Sequence, residues 1–310
     1  MSKMATREAY GKALAQLVEK DDHVFVLDAD LSGSTKTADA RATRPNQHFN
    51  MGIAEGNMMG VAAGMATSDN VVFASSFAMF AAGRAFEQIR NSIAYPKLNV
   101  KVCATHAGIT VGEDGASHQA IEDLSLMRSI PNMVVVQPCD ATETFAAIEA
   151  VYKYHGPCYV RLGRSGVEDI SADVKDYKFE LGKGIVLHRG KKVALIATGC
   201  MVQQALLAQK ELTKDGIDAT VVNIHTIKPI DEALLVELAK DHDYFVTCEE
   251  HSVIGGLGSA VSEVLSKHAP RKMSMIGVND TFGESGTPDA LLEKYGLTAS
   301  NIVKTVHENK

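Results

Sequence analysis

Short apolar runs alternate along this chain with longer segments in which apolar residues recur every three or four positions. A short apolar run bounded by Gly, Pro, Asp or Asn is typical of a buried strand, and the longer period is typical of an amphipathic helix. In the first half of the chain the pattern predicts strands at 23–30, 70–76, 99–106, 133–138 and 157–162. It predicts helices between them at 7–20, 55–67, 79–92, 121–129 and 142–153.

A second series of strands and helices begins near Lys191. Its strands are predicted at 192–199, 219–226, 244–251 and 272–279, and its helices at 202–215, 231–240 and 258–268. Strands that alternate with helices form mainly parallel sheets with helices on both faces. We therefore predict an α/β fold of two such domains, with a first domain at 1–165, a polar linker at 166–190 and a second domain at 191–310.

Composition and charge argue against several classes of protein. The 310 residues are 45% hydrophobic and 22% charged, as in ordinary globular proteins. The net charge of −7 and the lack of a Lys/Arg block argue against binding to nucleic acid. No apolar stretch approaches the roughly 20 residues of a membrane span, and the first residues form no apolar signal segment. The five widely spaced cysteines predict reduced thiols in a cytoplasmic protein, without a zinc site.

Glu55 is the only charged residue between Arg44 and Asp69, in a stretch rich in small apolar residues. One interpretation is a helix start, where acids interact favourably with the helix dipole, and composition alone favours this one. The other is a desolvated carboxyl group whose pKa rises and which shares a proton with a ring nitrogen.

Two further features lie where a ligand could bind. A glycine-rich loop carrying His106, Asp114 and His118 follows the predicted strand 99–106, and ligands of open α/β sheets bind beyond the carboxyl ends of strands. These side chains could transfer protons, hold hydroxyl groups, bind a metal or serve the structure. Phe77 and Phe80 stand three residues apart at a helix start, either as core residues or as a wall for a planar ring.

Five segments of the chain resemble a known family. Three of them resemble the pyrimidine-binding domain of transketolases: GIAEGNMMGVAAGMA (52–66), SSFAMFAAGRAFEQIR (75–90) and HAGITVGEDGASHQAIED (106–123). Two later segments resemble the C-terminal domain of the same family: CEEHSVIGGLGSAV (248–261) and TFGESGTPDALLEKYGL (281–297). In related enzymes this second domain mainly buries area between subunits, and we assign it no catalysis.

The resemblance implies thiamine diphosphate as cofactor and the transfer of a two-carbon ketol unit from a ketose phosphate to an aldose phosphate. It implies that Glu55 is catalytic through a hydrogen bond to the aminopyrimidine N1′, and that Phe77 and Phe80 line the cofactor ring. It implies that substrate hydroxyls are held, and protons moved, by His106, Asp114 and His118. On the substrate side it adds Asp30 and, at the phosphate end, Arg7, Ser34 and Arg164.

The chain departs from the long transketolases in three ways. Ala74 stands where they carry phenylalanine, and Phe80 stands where tyrosine is usual. The half that binds diphosphate and Mg²⁺ through a G-D-G motif and a later Asn has no counterpart here. We therefore expect no metal ligand in this chain and no activity from it alone. A partner, the diphosphate-binding chain of a split transketolase, is expected to supply the metal and diphosphate contacts, with two copies of each chain in the assembly.

Three alternatives stay open at this stage. A 1-deoxyxylulose-5-phosphate synthase usually carries Arg-Ala-Gly where this chain has His106-Ala107-Gly108. The β subunit of a 2-oxoacid dehydrogenase shares the architecture but is not expected to show the spacing of Asp114 and His118. A non-catalytic assembly subunit would be expected to have lost Glu55 or His118, and both are present. The identities of the sugar phosphates and of the partner cannot be read from the sequence.

Overall fold

The computed structural model describes residues 3–309. Fourteen strands are described, in chain order β1 to β14: Lys3–Ala5, Val24–Asp28, His48–Asn50, Val71–Phe77, Val100–Thr105, Val134–Val136, Cys158–Arg161, Gly166–Glu168, Ile185–His188, Lys192–Ala197, Thr220–Asn223, Thr226–Lys228, His242–Ser252 and Lys272–Val278.

Twelve α-helices are described, in chain order α1 to α12: Thr6–Lys20, Ser32–Thr35, Ala38–Thr43, Glu55–Ala66, Phe86–Gln88, Asp123–Ser129, Ala141–Lys153, Met201–Lys214, Glu232–Leu238, Leu257–His268, Pro288–Lys294 and Ala299–Asn309. Wide π-helical turns at Met79–Arg84 and Ile89–Ala94 flank α5, so the predicted helix at 79–92 is present but irregular. None of the helices within residues 3–309 combines the length and apolar character needed to cross a membrane.

Two mainly parallel sheets form the two domains, as predicted. The first has seven strands in the order β12-β6-β7-β5-β4-β2-β3, and the second has five in the order β14-β13-β10-β11-β9. Within these two sheets, only the edge strands β12 and β9 run antiparallel to their neighbours. Because successive side chains of a strand point to opposite faces, Phe73 of β4 packs with α1, while Val72 and Ala74 pack with α4. Helices thus cover both faces of the first sheet.

The predicted strand at 219–226 is divided between the two domains. Its first part, β11, lies in the second sheet, and the chain then crosses so that β12 pairs with β6 at the edge of the first sheet. The segment 166–190, predicted as a linker, also contains paired strands, since β8 pairs with β1 and β9 pairs with β11. The span between them, 169–184, lies outside the strands, and the domain boundaries themselves stay a prediction.

A fully buried ion pair lies where the two domains meet. Arg161, at the end of β7, donates two hydrogen bonds to the Asp123 carboxylate at 2.8 and 3.0 Å, and both side chains are 1% exposed. The same guanidinium also donates to the carbonyl oxygens of Ala120 and Glu250, each at 3.1 Å. Burial alone would raise the pKa of Asp123, but the attraction and hydrogen bonds of Arg161 outweigh it and hold that pKa below its ordinary value.

We expect Asp123→Asn to lower the free energy of unfolding by about 3–5 kcal/mol, because it leaves the Arg161 cation buried without its counter-charge. Urea denaturation followed by circular dichroism measures this change. The control is Glu149→Gln at the surface pair with Lys20, where the loss should be below about 1 kcal/mol. Equal effects of the two substitutions would contradict the role given to Arg161.

Candidate active site

The carboxyl ends of β2, β4, β5 and β7 meet at one edge of the first sheet, because these strands run parallel and lie side by side. Each strand is followed by a segment that carries sequence-predicted site residues. These are, in strand order, Asp30 and Ser34, then Phe80, then His106, and then Arg164. Arg7 enters the same region from the first turn of α1.

His106 adopts a left-handed backbone conformation, with φ of 55°, directly after β5. The residue is 3% exposed, and its ring stacks on Phe77 with centroids 3.8 Å apart. Its Nδ1 lies 2.9 Å from the Thr105 hydroxyl. Burial, and then the nearby charges of Arg7, Arg164 and His118, lower the pKa of His106 to about 3. The ring is therefore neutral near pH 7, with one nitrogen that donates and one that accepts a hydrogen bond.

Phe77, Phe80 and His118 extend this stack into one aromatic cluster. The rings of Phe77 and Phe80 have centroids 6.0 Å apart and are inclined by 14°. The His118 ring meets both edge-on, at centroid distances of 6.2 and 5.3 Å. His118 Nδ1 lies 2.9 Å from the Ser117 hydroxyl. The structure thus brings together the two aromatic residues and the two histidines singled out from the sequence.

Arg7 and Arg164 form the cationic side of the cluster. Arg7 donates to the Ser34 carbonyl oxygen at 2.7 Å and to the Arg164 carbonyl oxygen at 3.4 Å. Arg164 donates to the Val111 carbonyl oxygen and forms an ion pair with Glu113 at 3.3 Å. Burial lowers the pKa of Arg7, Glu8 opposes this, and the positive charge of Arg164 adds to it. Two guanidinium groups beside a neutral histidine suit a phosphate group.

Asp30 and Asp114 lie at the exposed rim of this region. Asp30 also has a left-handed backbone, with φ of 63°, and its carboxylate accepts a hydrogen bond from Asn50 Nδ2 at 3.1 Å. The side chain of Asp114 is exposed and has no hydrogen bond to another side chain or to the backbone within residues 3–309. Within the described residues no hydrogen bond or ion pair joins Asp114 to the cluster, so its place in the site stays a prediction.

Glu55 is the first residue of α4 and is 1% exposed. Its carboxylate pairs with Arg84, with Nη1 and Oε2 2.9 Å apart. The Arg84 guanidinium carbon lies 4.7 Å from the centroid of the Phe80 ring. Glu55 stands at a helix start, as the first interpretation expects, and its side chain is withdrawn from water, as the second expects. The sharing of a proton with a ring nitrogen stays a prediction. Through Arg84 it is joined to the aromatic cluster.

Gln119 and Glu250 hold the loop between the two histidines, and neither was singled out from the sequence. Gln119 Nε2 donates to the carbonyl oxygens of Ile109, Gly112 and Glu284, at 3.1, 3.3 and 2.9 Å. The Glu250 carboxylate, from β13, accepts the backbone N–H of Thr110 at 2.7 Å. One weak sign in the sequence pointed to each of these residues. Gln119 is the neighbour of His118, and Glu250 is an acid at the end of an apolar run.

The second domain therefore contacts the loop between His106 and His118 and Gln119 directly after it, in addition to any role in assembly. The hydroxyl of Ser285 donates to the Glu113 carbonyl oxygen at 2.6 Å, and the Glu284 carbonyl oxygen accepts from Gln119. Within residues 3–309 no group of three or more His, Cys, Asp or Glu side chains is arranged to hold a metal ion.

Comparison with known proteins identifies the families of the two domains. Residues 2–168 match the transketolase pyrimidine-binding domain, and residues 182–302 match the transketolase C-terminal domain. The fold is thus that of the thiamine-diphosphate-dependent enzymes. Within that class, the chain belongs to the transketolase family, which confirms the resemblance seen in the sequence.

Several relatives match almost the whole chain. A Methanocaldococcus jannaschii protein with the provisional name transketolase C-terminal section is 52% identical over 97% of this chain and 95% of its own length. The 6-deoxy-6-sulfo-D-fructose transketolase subunit SqwH of a Clostridium species is 42% identical over 97% of this chain and 93% of its own length. Mouse transketolase is 35% identical over 98% of this chain, which spans only 49% of the mouse protein.

Solved structures show the same relation. A split-gene transketolase, described as an inactive β4 tetramer, has a TM-score of 0.91 and 57% identity, covering 98% of each chain. Transketolase from Campylobacter jejuni has a TM-score of 0.83 at 24% identity, and the match covers 99% of this chain and 47% of that one. At this identity the second match supports the fold alone.

We expect the ring of His106 to stay neutral, without an NMR titration, between about pH 4.5 and 8, whereas a histidine of an unfolded chain titrates near about 6.5. Below about pH 6.5 the folded state therefore binds fewer protons at His106 than the unfolded state does. The His106 contribution to stability falls as the pH drops from about 6.5 toward 3, by up to about 1.4 kcal/mol per pH unit. His106→Gln identifies the resonance and should remove this part of the pH dependence. A midpoint near pH 6.5 in the folded protein would contradict the burial argument.

Proposed function

We propose that this chain is one subunit of a thiamine-diphosphate-dependent transketolase. The reaction is the transfer of a two-carbon ketol unit from a ketose phosphate to an aldose phosphate. The observation that carries the proposal is the buried carboxylate of Glu55 beside an aromatic cluster that contains His106 and His118. A cationic side formed by Arg7 and Arg164 completes the same region.

The residues present fit the aminopyrimidine ring of the cofactor. A planar ring with a hydrogen-bonding edge needs an aromatic face and a polar partner at its rim, and Phe80 and Glu55 offer these two features. The buried hydroxyl of Ser76, at the end of β4, has no hydrogen-bond partner within residues 3–309 and provides a further polar atom beside Phe77 in sequence. When bound, thiamine diphosphate supplies the electron sink for cleavage of a carbon–carbon bond.

We assign Glu55 to the hydrogen bond with the pyrimidine N1′, because its carboxylate is buried and lies next to Arg84, which covers the Phe80 ring. The neutral ring of His106 is suited to donate to, or accept from, a substrate hydroxyl without adding charge to the buried site. His118, whose ring is partly exposed, is assigned to move protons at the same substrate, and Asp114 is assigned to a hydroxyl at the rim.

The phosphate end of the sugar is assigned to Arg7, Arg164 and Ser34. The charge of Arg164 lies close enough to lower the pKa of Arg7, and a dianionic phosphate bound by both would relieve this repulsion. Asp30, on the segment that carries Ser34, is assigned to a hydroxyl farther along the sugar. The length of the sugar is not assigned.

A partner chain is part of the proposal, and we assign to it Mg²⁺ and the diphosphate. Support comes from the relatives: this chain matches about half of mouse transketolase, and the related split-gene structure that contains only β chains is described as inactive. Another relative, 34% identical, is an apulose-4-phosphate transketolase subunit of Phocaeicola vulgatus. We propose two copies of each chain, working in the cytoplasm, where the five unpaired cysteines stay reduced.

The purified chain with thiamine diphosphate, Mg²⁺, xylulose 5-phosphate and ribose 5-phosphate should show no turnover. Addition of the partner chain should restore it, since the diphosphate contacts are then present. The assay follows release of glyceraldehyde 3-phosphate through a coupled dehydrogenase. Robust turnover by the chain alone would refute the need for a partner.

The same reconstituted complex separates the related reactions by their donor substrate. Pyruvate in place of xylulose 5-phosphate should give no product. Consumption of pyruvate would favour a 1-deoxyxylulose-5-phosphate synthase instead. The chain is also 34% identical to such a synthase from Caldanaerobacter subterraneus.

We expect Glu55→Gln in the complex to lower kcat by about 10²- to 10⁴-fold, the usual contribution of a positioned acid or base. The matched control is Glu87→Gln, which changes an exposed glutamate on the neighbouring helix α5 and should leave kcat unchanged. A loss of less than about threefold for Glu55→Gln would favour a non-catalytic subunit instead.

A further inference from the structure

Arg84 occupies the space between the two groups that the proposed function assigns to the cofactor ring. Its Nη1 lies 2.9 Å from the Glu55 carboxylate, and its guanidinium carbon lies 4.7 Å from the centroid of Phe80. Within residues 3–309 no other group hydrogen-bonds the Glu55 side chain. The one polar partner of the buried acid is therefore a cation that also covers an aromatic face.

The two members of this pair differ in their access to water. The Glu55 side chain is 1% exposed, so its carboxylate cannot exchange the guanidinium for solvent where it stands. The Arg84 side chain is 53% exposed, so it can turn away into water with little loss of hydration. Arg84 ends the wide-turned segment Met79–Arg84, which brings it from the solvent side toward the start of α4.

A guanidinium group and an aminopyrimidine ring have the same recognition features. Both are planar, both present N–H groups in the plane, and both offer a flat face to an aromatic side chain. A ring that stacks on the covered face of Phe80 and bonds to Glu55 would meet the Arg84 guanidinium. The two cannot occupy this space together.

We propose that Arg84 is a placeholder for the aminopyrimidine ring, one that pairs with Glu55 as the structure shows and must swing out for the cofactor to bind. This inference rests on the proposed function and goes beyond it, because it assigns Arg84 a role opposed to binding. The pair gives the buried carboxylate a hydrogen-bond partner before the ring takes that place, since an unpaired buried acid would be costly. The consequence is a lower affinity for the cofactor than Glu55 and Phe80 alone would give.

The test measures the Kd of thiamine diphosphate for the complex of this chain with its partner, by calorimetry in Mg²⁺. We expect Arg84→Gln to bind the cofactor about three- to thirty-fold more tightly, the combined value of a half-exposed ion pair, taken at the level of surface pairs, and a cation–π contact. Arg84→Lys, which keeps the charge but not the plane, should tighten binding less than Arg84→Gln. It also serves as a second variant should the first fail to assemble.

The matched control is Arg90→Gln, an exposed arginine farther along the same helical stretch whose side chain bonds to Asn91. It removes the same charge from the same surface and should leave the Kd unchanged. A second readout is the ratio of Kd between the wild type and Arg84→Gln. This ratio should shrink as ionic strength rises from about 0.05 to 0.5 M, because salt screens the half-exposed pair.

Each outcome supports or overturns the placeholder. Tighter binding by Arg84→Gln, unchanged binding by Arg90→Gln and a salt-dependent ratio support it. Equal or weaker binding by Arg84→Gln would overturn it and leave the proposed function intact, because the wild-type complex still binds the cofactor. If the wild-type complex binds no thiamine diphosphate, the proposed function fails, and the placeholder fails with it.

Discussion

A buried positive charge fixes the arrangement on which the rest of the site depends. The Arg161 guanidinium is out of reach of water, so each of its hydrogen-bond acceptors has to stay in place. Those acceptors belong to the start of α6, to the end of the loop that carries His118, and to the strand β13 of the second domain. One side chain thus sets the position of the loop and of the second domain relative to β7. Arg164 follows three residues later, so the residue assigned to the phosphate lies close in sequence to the same point.

The candidate site has a buried side and an exposed side, with different properties. His106, Phe77 and Glu55 are enclosed, and each is neutral, apolar or paired, as the low polarity of their surroundings requires. Asp30, Asp114 and Arg84 face the outside, where charge is hydrated at little cost. The groups that we assign to the cofactor and to proton transfer are therefore held by packing, while the groups at the rim are exposed to solvent. The contacts made by Gln119 and Glu250 give the loop a fixed base on the buried side.

Much of the fold and part of the site could be predicted from sequence because the signals are local. Strand and helix periods depend on neighbouring residues, and the rule of strand ends pointed to His106 directly, whereas Arg164 was expected only from the family resemblance. The features that were missed depend on contacts between distant residues. The pair of Arg84 with Glu55 spans 29 positions, and the bond from Gln119 to Glu284 spans 165. The continuous apolar run at 219–226 gave no sign that its end crosses to another sheet, because the partner strand β6 decides that.

The crossing of β12 has a consequence for how this protein can be divided. Without β12 the strand β6 would become the edge of the first sheet, with unpaired backbone groups in a run of three valines. Such an edge invites pairing with other chains and aggregation. If the chain were divided between the two domains, for example in the span 169–184, the first domain would lose β12. Its sheet would then end in the unpaired strand β6, which is prone to aggregation. Because β12 follows the start of the second domain in the chain, the first domain depends on that later segment to cover the edge of its sheet.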